Sequence, residues 1–138
     1  MCSGGLALEC RKLVKAGRFW YGQAGTATDS EFCRLWLEAG ANVGAWPDDL
    51  ELDDQSHGIV VRSRTGEAYF IDGKRPVLLQ CFSPHIAVGS GSDYALAAMR
   101  LGKTAVEAVD FASQSDLFTG NGVDHIDIRK RPKPRAKR

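Results

Sequence analysis

The sequence predicts an α+β fold built on antiparallel sheet. Three observations predict it. Strand-like and helix-like stretches fall in separate runs rather than in strict alternation. Neighbouring strand-like stretches are joined by turns short enough for hairpins, which parallel strands cannot use. The chain has 138 residues, 43% of them apolar, which suits a single domain with one core.

The stretch Leu6–Val14, LALECRKLV, is compatible with a strand, and the aromatic-rich Arg18–Gly25, RFWYGQAG, reads as a second. Thr26–Gly40 is a helix, with Thr28 or Asp29 as cap and Glu31 favouring its positive end. Phe32, Leu35, Trp36 and Ala39 share one face by their spacing, so that face is expected in the core, with Gly40 just past the helix end. Residues 41–56 are acidic and loop-like, broken by Pro47 and the pairs Asp48–Asp49 and Asp53–Asp54. Gly58–Ser63 and Glu67–Asp72 flank the turn RTG as a hairpin. The DGK turn leads into Pro76–Phe82, and His85–Gly89 is a further strand candidate. An alanine-rich helix follows with Ser92 as its cap. After Gly102 a second helix, Thr104–Gln114, opens on the capping box Thr104 and Glu107. Gly122–Ile128 alternates as a last strand. Residues 1–128 are thus expected to form one domain.

The net charge of +1 hides an asymmetry. Residues 129–138, RKRPKPRAKR, hold seven basic residues and no acidic one, leaving a net charge of −6 on the rest. Two prolines and no apolar anchor predict a disordered basic tail. It is a solvated tail, or it binds nucleic acid or an acidic surface. No apolar run approaches the length that crosses a bilayer, and no signal peptide is evident, so the expected compartment is the cytoplasm. Cys2, Cys10, Cys33 and Cys81, with His57, His85 and His125, match no zinc spacing. The aspartates of 48–54 lack the glycine and closing glutamate of a calcium loop. No metal and no cofactor is expected.

One stretch, VGSGSDYALAAM, places a glycine–serine turn before a helix. It lacks the lysine of a phosphate loop, the third glycine of a dinucleotide loop and the spacing of a serine-hydrolase elbow. Ser92 caps the helix; Ser90 either serves the turn alone or holds a reacting amine or water.

Four segments in this order resemble the proteasome β-subunit family of N-terminal-nucleophile (Ntn) hydrolases, particularly HslV-like proteases and their smaller phage and bacterial relatives. They are RKLVKAGRFWYGQAGTATD, GIVVRSRTGEAYFID, IAVGSGSDYALAAMRLG and DLFTGNGVDHIDI. The resemblance runs from about Arg11 to Ile128. It implies an αββα sandwich of two antiparallel sheets between helices, and a threonine-type endopeptidase that assembles as a homo-oligomeric ring. Its partners would be a peptide or protein substrate and an unfoldase. By resemblance, Lys12 matches the family lysine, with Lys15 competing for the role. Gly25 matches the oxyanion N–H, Ser90 the serine of the turn, and Asp116 and Thr119 the Asp–Ser/Thr pair.

The family's nucleophile is the threonine that opens the mature chain. Only eleven residues precede Lys12 and none is threonine; the first is Thr26. The family's aspartate on the second strand is also missing, and the acidic loop 41–56 stands where the family has another helix. The expectation is therefore an N-terminally truncated domain whose gene starts upstream, inactive as given. Cys2 is a candidate nucleophile if Met1 is removed. The alternative is a non-catalytic structural or interaction subunit of the same fold.

Overall fold

The computed structural model describes residues 13–115. The sheet begins with a hairpin. β1 (Leu13–Ala16) turns through Gly17, at φ +58°, into β2 (Phe19–Ala24). The first strand therefore runs two residues beyond the expected Val14; the part of Leu6–Val14 before Leu13 lies outside the described residues. β3 (His57–Arg62), β4 (Ala68–Ile71) and β5 (Leu78–Cys81) complete an antiparallel sheet in the order β1-β2-β3-β4-β5. With three α-helices among the described residues the chain is α+β, as the segregated runs predict. Among the described residues there is one sheet.

His85–Gly89 is not a strand. Ser83 explains why. Its hydroxyl donates to the His85 carbonyl at 2.9 Å and accepts from the His85 N–H at 3.4 Å, so the side chain takes backbone groups that a ladder would need.

The helix α1 (Ala27–Glu38) starts two residues earlier than a Thr28 cap would allow and three earlier than an Asp29 cap. Thr26 is the cap, its hydroxyl accepting from the Asp29 N–H at 3.2 Å. Asp29, Cys33, Trp36 and Leu37 are buried, so of the expected face only Trp36 enters the core. Phe32 is 36% exposed and Leu35 50%. The helix is rotated because its small Cys33 and its hydrogen-bonding Asp29 face the sheet, and Leu37 replaces Leu35 as the core leucine. Arg34 pairs with Glu31 and Glu38 on the outer side, where such pairs add little. The helix ends in a Schellman motif: Gly40, at φ +103°, donates to Leu37 O and Ala41 donates to Trp36 O.

Residues 41–56 pack rather than hang free. A single 3-10 turn (Val43–Ala45) leads to Trp46, which meets Trp36 edge to face with centroids 6.2 Å apart. The Trp36 and Trp46 indole N–H groups donate to Asn42 O and Leu50 O, both at 2.8 Å. Trp46 and Leu52 join Ala16, Phe19, Tyr21, Val60, Tyr69 and Ile71 from one sheet face in the main core. Full burial of a side chain such as Leu37 is worth roughly 2 kcal/mol.

The sheet is apolar on its other face as well. By register, Trp20 lies opposite Val61, Ile59 opposite Phe70, and Phe70 opposite Leu79. All but Leu79 are half-buried. A face this apolar needs a covering layer.

The helices α2 (Ser92–Arg100) and α3 (Ala105–Ser115) form a second small cluster around Ala95, Ala98, Met99, Ala108 and Ala112. Ser92 does not cap α2; the cap position is Gly91, with no side-chain bond, and Ser92 N–H donates to Gly89 O at 3.1 Å. Gly102 turns the chain at φ +95°. The capping box of α3 is present: Glu107 N–H donates to Thr104 Oγ1 at 3.2 Å and Thr104 N–H to Glu107 Oε1 at 3.1 Å. These bonds hold the Glu107 carboxyl below its usual range. Its stabilising contribution is therefore present above the unfolded pKa and lost as pH falls through the lowered folded value. Thr104→Ala is expected to cost about 1 kcal/mol. Urea denaturation checks it, with hydrogen exchange at the start of α3 showing where the loss falls. Among the described residues no helix is long and apolar enough to cross a membrane.

Candidate functional site

Two turns meet at one end of the sheet. β2 ends at Ala24, and Gly25 then turns at φ +132° into the Thr26 cap. Gly25 is hemmed in: a Cβ there would lie 2.3 Å from Ser56 Oγ and 2.7 Å from Ser56 Cα. The second turn is Gly89–Ser90–Gly91, with Gly89 at φ +101°. A Cβ on Gly89 would lie 3.1 Å from the Ala24 Cβ, so this turn rests on the end of β2. Ser90 is exposed there. The structure thus brings together Gly25 and the turn carrying Ser90, two of the residues singled out from the sequence.

Behind Gly25 a polar brace fastens loop 41–56 to α1. Asp29, only 7% exposed, accepts at Oδ2 from Asp53 N–H and from Ser56 Oγ, both at 2.7 Å. Beneath it lie Tyr21 and Cys33, both fully buried. The Tyr21 hydroxyl sits among Cys33 and Ser30 without a hydrogen bond of normal geometry. Burial, then the neighbouring Cys33, holds its ionisation far above the ordinary range. Burial likewise pushes the Cys33 thiol up to about 11, only partly opposed by Tyr21. Cys33 is therefore an inert packing thiol. A thiol-alkylating reagent is expected to modify Cys81 in the native protein and Cys33 only after unfolding, as peptide mass mapping would read.

Three further side chains surround the end of β2, and none was singled out from the sequence. His57 opens β3 directly opposite Ala24. Its Nδ1 lies 3.1 Å from Asp72 Oδ1, just past the end of β4. The signal existed: hairpin pairing that sets Gly58 opposite Ile71 brings His57 and Asp72 to the same end. Gln23, the residue before Ala24, has both side-chain polar atoms buried with no hydrogen-bond partner. Next to the His57–Asp72 pair is a cavity of about 180 Å³ lined by His57, Phe70, Ile71, Asp72, Leu79 and Val88.

Beside the Asp29 brace, Thr26, Thr28, Asp29, Glu51, Asp53, Asp54 and Lys74 line an open depression. Lys74 lies 3.7 Å from Glu51, and Asp29 is committed to the brace. Among the described residues no group of three acidic, histidine or cysteine side chains is placed to hold a metal ion.

Lys15 is exposed on β1, its ammonium 4.9 Å from the centre of the Trp20 ring. Cys2, Lys12, Asp116 and Thr119 lie outside the described residues, as do the strand Gly122–Ile128 and the tail 129–138.

With this geometry in view, the sheet and helices have a counterpart among solved structures. The chain is similar in fold to Thiobacillus denitrificans BPH. Against the structure of that protein the TM-score is 0.54 at 20% identity, covering 82% of this chain and 75% of that one. Against BPH in complex with epoxomicin it is 0.52 at 21% identity, covering 83% and 75%. No protein-family model matches the chain, and no curated protein matches it.

Proposed function

We propose that the chain is a subunit of the proteasome/HslV-like Ntn-hydrolase kind, a threonine-type endopeptidase by kinship, with peptide or protein as its substrate class. One observation carries this reading: the Ala24–Gly25 turn and the Gly89–Ser90 turn converge at the end of a sheet whose second face is also apolar. An αββα sandwich would cover that face with a second sheet and place the two turns at the mouth between the layers. In such a site the Gly25 N–H would polarise a peptide carbonyl, and Ser90 would orient the amine or water that moves the proton. The fold neighbour that holds epoxomicin supports the same reading. Ring assembly and an unfoldase partner belong to this proposal.

The nucleophile is the point of division. Residues 1–25 contain no threonine. A second reading, carried by the seven basic residues of 129–138, is a non-catalytic structural or interaction subunit whose tail binds nucleic acid or an acidic surface. The experiment is intact mass and amino-terminal sequencing of the natural protein, before and after exposure to epoxomicin. A mature chain opening on threonine and carrying one epoxomicin adduct supports the peptidase. A chain opening at Met1 or Cys2 without an adduct supports the non-catalytic subunit. An adduct on Cys2 would make that thiol the nucleophile.

A further inference from the structure

The end of the sheet opposite the two glycine turns carries a cluster of arginines. Arg18 sits in the β1–β2 turn, Arg62 at the end of β3 and Arg64 in the β3–β4 turn, and all three are exposed. Ser63 ties the two turns together: its N–H and its hydroxyl both donate to the Arg18 carbonyl, at 2.9 and 3.0 Å. The β3–β4 turn is itself fixed, with Gly66 N–H donating to Arg62 O at 2.9 Å and Glu67 N–H to Thr65 Oγ1 at 3.2 Å. The Arg62 guanidinium lies 5.8 Å from the centre of the Phe19 ring and 5.5 Å from that of Tyr69. Both rings belong to the sheet face that packs on α1, so a second sheet on the other face leaves Arg62 open.

These charges are not spent within the described residues. Arg34, Lys74, Arg75 and Lys103 each lie against a carboxylate. Arg18 and Arg64 have no ion pair among the described residues. Arg62 lies 3.9 Å from Glu67, but that carboxylate already accepts from the Tyr69 hydroxyl at 2.6 Å. Glu38, whose backbone abuts Gly17, is taken up by Arg34. Guanidinium forks match carboxylates and phosphates two bonds at a time. The rest of the chain decides between the two. Outside residues 129–138 it has a net charge of −6, which repels a long phosphate backbone and tolerates a short acidic segment. Phe19 and Tyr69 are buried and give a single nucleic-acid strand no ring face for stacking.

We infer that Arg18, Arg62 and Arg64 form a docking surface for an Asp- and Glu-rich segment of a partner protein. Two locked turns present the guanidinium groups, so little of the backbone has to be ordered on binding. The surface lies about 20 Å from the Gly25 turn, the length of the six-residue β2. A docked partner therefore leaves both glycine turns open. The inference stands apart from the peptidase reading, because none of its residues belongs to those turns and no nucleophile enters it.

The test reads binding site by site. The full chain is titrated with acetyl-Asp-Glu-Asp-Glu-amide and with its neutral counterpart acetyl-Asn-Gln-Asn-Gln-amide, while backbone amide resonances are followed. The acidic peptide is expected to shift the amides of Arg18, Ser63, Arg64 and Gly66, and the neutral one to leave them in place. Raising the salt from about 50 mM to about 300 mM is expected to weaken binding several-fold. The double variant Arg18→Ala, Arg64→Ala is expected to weaken it about tenfold. Arg18→Lys with Arg64→Lys is expected to weaken it less, since the charge stays and only the fork is lost. Both positions are exposed, so these variants should melt with the parent. Arg100→Ala, at an exposed arginine of α2, is expected to change nothing. Shifts confined to the basic tail 129–138, no shift at about 1 mM peptide, equal binding of the two peptides, or indifference to the double alanine variant would overturn the inference. Tighter binding of hexathymidylate at the same amides would also overturn it, assigning the surface to nucleic acid. The same shifts on concentrating the protein alone would do so too, placing a second copy there.

Discussion

Gly25→Ala is expected to destabilise the protein by about 3 kcal/mol or more, among the largest effects of any single substitution in the chain. Two independent costs combine. The backbone at φ +132° is a conformation that L side chains rarely adopt. The added methyl would also lie 2.3 Å from Ser56 Oγ, 2.9 Å from its Cβ and 2.7 Å from its Cα. The clash with the hydroxyl alone could be relieved by Ser56→Ala; the clash with the Ser56 backbone cannot. The double variant Gly25→Ala, Ser56→Ala should therefore remain well below the parent in stability. Thermal melting would show a fall of roughly 10 °C for the single variant. A fall within a degree or two of the parent would mean that the turn and the Ser56 backbone separate easily, and that the site end of β2 is not rigid.

Asp29→Ala comes next, with an expected loss of about 3 kcal/mol. The carboxylate is buried and accepts two hydrogen bonds, from the Asp53 backbone and the Ser56 hydroxyl. Truncation removes both bonds and leaves the Ser56 hydroxyl buried without this partner and the Asp53 N–H without its acceptor. Asp29→Asn keeps the shape and one carbonyl acceptor, and should cost roughly half as much. Hydrogen exchange separates a local from a global effect. Faster exchange at the Asp53 amide, with the amides of β3 little changed, would mark release of the 41–56 loop from α1. Since Ser56 also walls Gly25, that release would loosen the turn as well.

Much of the framework was legible in the sequence because it is written locally. The 57–72 hairpin follows from two β-rich runs around a glycine turn. The α3 capping box follows from Thr104 and Glu107 alone, and the end of α1 from Gly40. Where the reading went astray, a tertiary interaction outweighed a local signal. Four apolar residues at helical spacing in α1 pointed to Phe32 and Leu35, yet the helix turns Asp29, Cys33 and Leu37 inward. No periodicity rule anticipates a buried aspartate, because its place depends on Asp53 and Ser56, more than twenty residues away. The acidic stretch 41–56 is loop apart from one 3-10 turn, as its charges and Pro47 predict. Trp46 and Leu52 nevertheless anchor it in the core. His85–Gly89 carried the apolar character of a strand, but Ser83 captured the backbone of His85 first.

The candidate site divides in the same way. Ser90 stood out because a glycine-rich turn at a helix start is visible in a linear chain, and Gly25 stood out through the family resemblance. His57, Asp72 and Gln23 did not, since each is an ordinary residue until the register of β2, β3 and β4 brings it to the same end. By itself the sequence determined the α+β class, the order of the five sheet strands and three helices among the described residues and most of the turns that join them, all of which depend on neighbours in the chain. Only the tertiary structure decided which face of α1 is buried, that the two glycine turns touch, and that a histidine–aspartate pair rims an apolar cavity beside them. Those outcomes depend on strand register and on distant hydrogen-bond partners, where a shift of one residue would turn His57 to the opposite face.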